Sequence, residues 1–219
     1  MGIHIIDVYS NSNIGIFIRA NDGHILVPNS LPVSKISQLC DCLQVSSVPT
    51  SVAGSRMVGV LSVMNRNGIL LSNLAEDEEI ETICKATGLN VERFDSRYTA
   101  VGNLIAANDN GGVASSILSE KEVSMISRVL GVPVRRMMVA SFPQVGAAVV
   151  ATNSGALVHP DASLDEIKEI ENILKVVVEP ATVNRGVPFV SSGIASNTGN
   201  IVVGSLTSGP ELMILSRTI

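Results

Sequence analysis

A repeating order of apolar and turn-forming segments runs along the chain, and it is clearest over residues 144–186. The apolar run over residues 145–152 predicts a strand, and Ala156–Val158 predicts a second strand that returns beside it. Between them, the segment Asn153-Ser154-Gly155 predicts a tight turn, because Asn and Gly accept the positive φ that hairpin turns require. The unit therefore begins with a pair of antiparallel strands.

A helix and a third strand complete the unit. Ser163 precedes Glu166 by three residues, which is typical of a capping box at the start of a helix. Apolar residues then recur on one helical face, at Leu164, Ile167, Ile170, Ile173 and Leu174. Val176–Val178 begins another strand, so the predicted order is strand, strand, helix, strand.

Two sets of glycines mark five copies of this unit. The predicted turns share a glycine at spacings of 45, 43, 44 and 44 residues, namely Gly23, Gly68, Gly111, Gly155 and Gly199. The predicted first strands share another at spacings of 44, 43 and 44 residues, namely Gly15, Gly59, Gly102 and Gly146, with Val190 in the fifth place. In this alignment His24 corresponds to Ile69, Gly112 and Ala156. A fixed period of this size indicates a repeat architecture.

The predicted helices follow the same period. Two of their apolar positions are filled by Ile36, Ile80, Val123 and Ile167, and by Leu39, Ile83, Ile126 and Ile170. Ser119 and Glu122 repeat the capping box, and Gly88 and Gly131 stand where a left-handed helix cap is expected.

The fifth copy lacks its third strand, and the N-terminus supplies a candidate for it. Residues 2–8 precede Gly15 as residues 176–183 precede Val190. Closing a row of strands removes its exposed edges. We therefore expect an α/β ring of five blades with pseudo-fivefold symmetry, in which the N-terminal strand completes the last blade. The ring forms a single domain over residues 1–219, with repeats at approximately 14–56, 57–99, 100–143, 144–187, and 188–219 plus 1–13.

Composition narrows the possible partners. Hydrophobic residues make up 46% of the chain, yet no apolar run approaches the roughly 20 residues that a membrane span needs. The N-terminus has no secretory signal pattern, so we expect a cytoplasmic protein without a membrane partner. The net charge of −5 and the absence of Trp argue against binding free nucleic acid and favour a basic protein surface.

Catalytic, metal-binding and cofactor-binding motifs are not apparent in the sequence. The three cysteines, Cys40, Cys42 and Cys84, occupy helix positions that other repeats fill with Ser, Glu or aliphatic residues. The histidines stand at turns or strands without a neighbouring nucleophile motif, and the glycines form no phosphate-binding loop. We expect no enzyme activity, no cofactor and no metal.

Polar residues recur where the predicted third strands end. Arg56, Arg97 and Arg185 fall shortly before the glycine positions of their blades, namely Gly59, Gly102 and the place taken by Val190. Equivalent positions in a ring lie at one end, so these arginines should share a rim with Asn184 and with the Gly102-Asn103 corner. Two interpretations remain open: these groups satisfy the strand ends around the axis, or they form a surface that binds a partner.

The chain resembles the translation initiation factor six family in its archaeal form. The matching segments span almost the whole chain, in order: Asn13-Ile14-Gly15, Val52–Gly59, Asn65–Leu70, Ala100–Asn103, Gly155–Pro160 and Ala181–Gly186. The resemblance implies the pentein-type closed five-blade α/β propeller. It also implies that the protein binds the large ribosomal subunit and prevents its association with the small one.

Several further expectations come from the resemblance alone. It implies contact with a ribosomal protein of the uL14 type near the sarcin–ricin loop, and action without catalysis, as a monomer. The ribosome-facing corner of the family corresponds to Gly102 and Asn103, and its C-terminal part to Leu212 through Ile219.

Two other functions remain open. Some penteins are guanidine-modifying hydrolases or transferases that use Cys, His and acidic residues at the ring centre, and a deimination assay distinguishes these. A ring-shaped scaffold with other protein partners is the second alternative, and a pull-down that recovers no large-subunit proteins would favour it.

Overall fold

Five separate three-stranded sheets, each backed by a helix, surround a common axis in the computed structural model, which describes residues 2–219. Met1, which we assigned to the last repeat, lies outside the described residues. The strands are β1 Gly2–Ile5, β2 Arg19–Ala20, β3 His24–Pro28, β4 Ser46–Thr50, β5 Ser62–Met64, β6 Gly68–Leu71, β7 Asn90–Arg93, β8 Ile105–Ala107, β9 Gly112–Ser115, β10 Val134–Met137, β11 Val149–Ala151, β12 Ala156–Val158, β13 Val178–Pro180, β14 Ile194–Ser196 and β15 Asn200–Val203. The α-helices are α1 Val33–Leu43, α2 Asp77–Thr87, α3 Val101–Leu104, α4 Glu120–Leu130, α5 Val145–Ala148, α6 Leu164–Leu174 and α7 Gly209–Thr218, and 3-10 turns span Ile14–Ile16 and Val190–Gly193.

Every blade has the same connectivity. Its first strand is antiparallel to the middle strand, and its third strand is parallel to the middle strand on the other side, as in β11-β12-β13. The eleven-residue helix α6 connects the two parallel strands of that blade. This confirms the predicted order of strand, strand, helix, strand, and the ring with pseudo-fivefold symmetry.

The N-terminal strand completes the fifth blade, as predicted. β1 pairs in parallel with β15, and Gly2 lies opposite Asn200. The strand ends at Ile5, earlier than the predicted 2–8 segment. Ile6 and Val8 continue into the interior, where they are 4% and 0% exposed.

Five hydrophobic cores lie between neighbouring blades and interlock them. Helix α4 packs on β6 of the preceding blade as well as on its own β10, and α1 packs on β15 across the closure. One position of the predicted helical stripe, filled by Leu39, Ile83, Ile126 and Ile170, is fully buried in every case. None of the helices within residues 2–219 is both long and apolar enough to cross a membrane.

The first predicted strand of each unit is wrong in its first half. Val145–Ala148 is a short helix, and the strand begins only at Val149. A short apolar run does not distinguish a strand from a buried helical turn by its periodicity. Glycine is required at position 146 because a Cβ atom there would lie 2.4 Å from the carbonyl oxygen of Gly102, so the backbones of adjacent blades meet at this helical turn.

The same contact corrects the alignment of the fifth repeat. A Cβ atom on Gly15 would lie 1.9 Å from the carbonyl oxygen of Ser191, just as one on Gly59 would lie 2.0 Å from that of Gly15. Ser191, not Val190, therefore takes the fifth place in this ring of small residues.

The turn alignment is also wrong by one residue in two blades. The backbone N–H of Asn21 bonds the carbonyl of His24, as that of Asn65 bonds the carbonyl of Gly68. His24 therefore corresponds to Gly68 rather than to Ile69. Glycine is needed at Gly68 because a Cβ atom there would lie 2.3 Å from the carbonyl oxygen of Val129 in the next blade, whereas Gly23 has no such neighbour.

The helix ends follow the sequence signals. The capping boxes at Ser119 and Ser163 are confirmed, and two further boxes begin α2 and α7. Gly88 and Gly131 adopt the predicted left-handed conformation after their helices.

Candidate functional site

The loops that follow the third strands lie at one end of the ring, together with the N-termini of the outer helices. We call this end the turn rim; it consists of residues 9–10, 53–54, 95–98, 140–141 and 184–186, with the short helical turns beside them. Four of these loops place consecutive residues at positive φ, including Tyr9 and Ser10, Ala140 and Ser141, and Asn184 and Arg185. The bridges between Val8 and Asn11 and between Val52 and Ser55 close two of them as tight hairpins.

A glutamate from the adjacent helix holds each of several rim turns. In the second blade, Glu79 caps its own helix through the Glu76 N–H and also accepts the N–H groups of Ala53 and Gly54. In the fifth blade, Glu211 accepts the N–H groups of Arg185 and Gly186 and the hydroxyl of Thr182. The capping glutamate therefore fixes a helix end and a rim turn together.

These hydrogen bonds determine the protonation of the glutamates. Burial alone would raise the pKa of Glu211, but the N–H groups of Ser208 and Gly186, with two hydroxyls, outweigh it and lower the pKa to about 2. The same balance lowers the pKa of Glu79 below its ordinary value. Both carboxylates are therefore charged at neutral pH, and each binds its rim turn through charge-assisted hydrogen bonds.

Two of the predicted rim arginines are exposed and stack on tyrosines. The guanidinium carbon of Arg56 lies 4.9 Å from the ring centroid of Tyr9. That of Arg97 lies 4.8 Å from the ring of Tyr98, whose hydroxyl accepts a hydrogen bond from it at 2.6 Å. Stacking holds each guanidinium in place while leaving its other donors free for a partner.

The two predicted residues of the last rim turn differ. The side chain of Arg185 is exposed, whereas Asn184 is only 7% exposed. The Asn184 amide donates to the carbonyl of Ser12 at 2.9 Å and accepts from the Thr207 hydroxyl. Asn184 thus forms hydrogen bonds that hold the ring together where it closes. For this residue, the role is the first of the two considered above, in which polar groups satisfy the strand ends around the axis.

Five half-exposed side chains surround the axis at this end, and we call them the mouth. They are Ile16, Val60, Asn103, Ala147 and Ser192. The amide of Asn103 makes no side-chain hydrogen bond within residues 2–219, so both its donor and its acceptor are available. Gly102 is buried directly beneath, and a Cβ atom there would lie 2.3 Å from the carbonyl oxygen of Gly59. Gly102 therefore shapes the mouth without reaching its surface.

The two predicted C-terminal positions pack on the core of the fifth blade and are not part of the exposed surface of the turn rim. Leu212 is half-buried on α7 and packs on the core of the fifth blade. Ile219 is 0% exposed, in the same core. α7 begins at the rim and ends at the opposite end of the ring, so the structure does not bring Ile219 together with Arg56, Asn103 or Arg185.

The sequence analysis did not identify the aromatic residues beside the turn rim as candidates for binding. Phe142, Phe189 and His159 form a cluster with ring centroids 5.2 to 5.4 Å apart, and Phe142 remains 39% exposed. Aligning the loops after the third strands, rather than the glycines, would have placed Tyr9 and Phe142 on this end beside the arginines. Exposed aromatic and Arg side chains are enriched where proteins bind partners.

The three cysteines considered for catalysis lie away from the turn rim. Cys40 and Cys42 are on α1 and Cys84 is on α2, on the outside of the ring. Within residues 2–219, no three or more His, Cys, Asp or Glu side chains are grouped to hold a metal ion.

Comparisons with known proteins agree with the fold. A model of the eIF-6 family matches residues 3–218. Translation initiation factor 6 of Nitrosopumilus maritimus is 44% identical over 217 residues, covering 99% of this chain and 98% of the relative. The protein of the same name from Cenarchaeum symbiosum is 42% identical with the same coverage, and that of Staphylothermus marinus is 37% identical over 99% of this chain and 97% of its own. The chain therefore belongs to the eIF-6 family of translation initiation factors.

Proposed function

We propose that this protein binds the large ribosomal subunit through the turn rim and the mouth, and so prevents premature association with the small subunit. Membership of a translation initiation factor family supports a partner within the ribosome. The observation that carries the choice of surface is that Arg56, Arg97 and Arg185 are all exposed at one end of the ring, two of them at or beside turns that a glutamate holds. Preorganised turns lose little entropy on binding.

The side chains of the turn rim and the mouth are chemically suited to the ribosomal surfaces proposed to bind them. Guanidinium groups bind phosphates and carboxylates, whereas the mouth offers three apolar side chains, one amide and one hydroxyl. The partner proposed for the mouth is a uL14-type protein, and the arginines face RNA phosphates of the nearby sarcin–ricin loop. The net charge of −5 keeps the rest of the protein from binding RNA indiscriminately.

A protein bound to the joining face of the large subunit blocks the small subunit simply by occupying space. The proposal therefore needs no catalysis, nucleotide or metal. Adding the protein to purified archaeal large subunits before small subunits should lower the fraction of joined ribosomes in a sucrose gradient. The decrease should saturate at one protein per large subunit. If the subunits join equally well at saturating protein, although co-sedimentation shows that the protein is bound, the anti-association function is refuted and only the binding proposal stands.

Asn103 provides the test of the binding surface. Replacing Asn103 with Arg puts a long side chain among Ile16, Val60 and Ala147, where it holds the partner away from the mouth and removes the amide hydrogen bonds. We expect the affinity for large subunits to fall at least about tenfold, which corresponds to about 1.4 kcal/mol. Co-sedimentation across a concentration series measures this.

A matched control separates the position from the added charge. Asn90 is exposed at the start of β7, at the opposite end of the ring, so Asn90→Arg should bind as the unaltered protein does. Both variants should keep the original melting temperature. Equal affinities for Asn103→Arg and Asn90→Arg would remove the mouth from the binding surface.

A further inference from the structure

The axis of the ring contains one charged side chain where the other blades have apolar ones. Arg19 on β2 lies opposite Leu26, as Val63 lies opposite Leu70. The remaining residues at this position are Ala106, Val150 and Ala195. Neither the ring closure nor the rim explains an arginine at this place.

Not every hydrogen-bond donor of the Arg19 guanidinium has an acceptor among the described residues. Its Nη2 donates to the carbonyl oxygen of Gly59 at 2.6 Å. Its Nε is buried and has no hydrogen-bond acceptor within residues 2–219. Gly102 allows the approach, because a Cβ atom there would lie 2.9 Å from Nη2.

No carboxylate neutralises this group among the described residues. Burial lowers the pKa of Arg19 to about 10, and no neighbouring charge opposes that shift. The guanidinium is therefore still charged at neutral pH within the ring, where Arg19 is half-buried. An uncompensated buried charge is strongly unfavourable unless an ion of opposite sign accompanies it.

A cavity of about 40 Å³ lies beside Arg19 on the axis. The hydroxyl-bearing residues Ser191 and Ser196 line it, together with aliphatic residues of all five blades. One water-sized sphere needs about 10–15 Å³, so the space is large enough for a small ion with water beside it. Asp22 and Asp109 lie further along the axis, towards the opposite end of the ring, beyond Asn21 and Asn65.

We propose that this cavity is a binding site for one small monovalent inorganic anion of about the size of chloride, held by the guanidinium of Arg19. The anion accepts a hydrogen bond from Nη1, which has no other acceptor among the described residues, and neutralises the charge of Arg19. Because Arg19 belongs to the first blade and Gly59 to the second, the anion stabilises the junction of the blades. The inference is independent of the ribosome-binding proposal.

Thermal unfolding in chloride provides the first test. The protein is melted in sodium chloride from 1 to 300 mM, with sodium gluconate added to constant ionic strength, because gluconate is too large for the cavity. A chloride concentration ten times the dissociation constant should raise the Tm by about 3–6 °C. Arg19→Met should remove this dependence, and in gluconate it should melt no lower than the unaltered protein, since Met fills the space without a charge.

Two controls make the result decisive. Arg66 is exposed, and its side chain lies outside the cavity, so Arg66→Met should keep the full chloride dependence. A crystal of the unaltered protein soaked in sodium bromide should show an anomalous scattering peak within hydrogen-bonding distance of Arg19. The anion site does not exist if that peak is missing and the Tm of the unaltered protein either does not depend on chloride or depends on it as strongly as the Tm of Arg19→Met does.

Discussion

Removal of residues 1–10 should abolish the cooperative unfolding of this protein. The deletion removes β1, the parallel partner of β15, and leaves the edge of that strand unpaired. It also takes Ile6 and Val8 from the core between the fifth and first blades, and Ile3 from the neighbouring core. We expect aggregation, or a broad transition without a defined Tm, measured by circular dichroism and light scattering.

Single substitutions show whether the deletion acts by removing buried side chains or merely by shortening the chain. Val8→Asp places a charge at a fully buried site and should reproduce the effect of the deletion. Ile5 is 53% exposed on the same segment, so Ile5→Ser should melt as the unaltered protein does. A truncated protein with the original Tm would contradict the assignment of β1 as a structural strand of the ring.

Replacing Glu211 with Gln should cause the second large loss of stability. Its carboxylate receives hydrogen bonds from α7, from the turn at Arg185 and Gly186, and from Thr182. A pKa lowered from 4.5 to about 2 corresponds to a contribution of up to about 3 kcal/mol at neutral pH. We expect the Tm to fall by about 6–12 °C at pH 7.

The pH dependence gives a sharper signature than the Tm alone. Because the pKa of Glu211 is lower in the folded than in the unfolded protein, its contribution is present above about pH 4.5 and is lost as the pH falls towards 2. The difference in stability between the two proteins should therefore shrink across this range. Glu166 bonds only one N–H of its rim turn, that of Ala140, so Glu166→Gln should have a smaller effect. Equal losses for the two variants would show that helix capping, and not the turn, accounts for the stabilisation.

Much of the ring was predictable because its determinants are local. Capping boxes, turn-forming asparagines and helical stripes each act over a few residues, and they recur with one period. The closure by β1 was predictable from the same period, since a missing strand at one end matched an extra strand at the other.

The errors arose where contacts between blades, not local preferences, decide the structure. Gly146 was assigned to a strand because its neighbours are apolar, whereas it lies in a helical turn whose backbone meets that of Gly102 in the adjacent blade. His24 was misaligned by one residue because Gly23 is a local turn glycine, while Gly68 is required by the end of the next helix.

The candidate site was predictable only in part, for a related reason. The positions of Arg56 and Arg97 after their strands indicated an exposed rim. That Asn184 is buried, or that Tyr9 supports Arg56, depends on side chains from other blades and had no local signal. The charge of Arg19 on the axis likewise becomes visible only when equivalent positions are compared in three dimensions.

The pairing of β1 with β15 also has a consequence for the time at which the protein can fold. Gly2 and its partner Asn200 are separated by 198 residues. At about 5–20 residues per second, a ribosome needs roughly 10–40 s to synthesise the chain between them. Throughout that interval the N-terminal segment has no strand to pair with, while the intervening blades emerge one after another. It must therefore remain unpaired, or be shielded by a chaperone, until the last blade has been made.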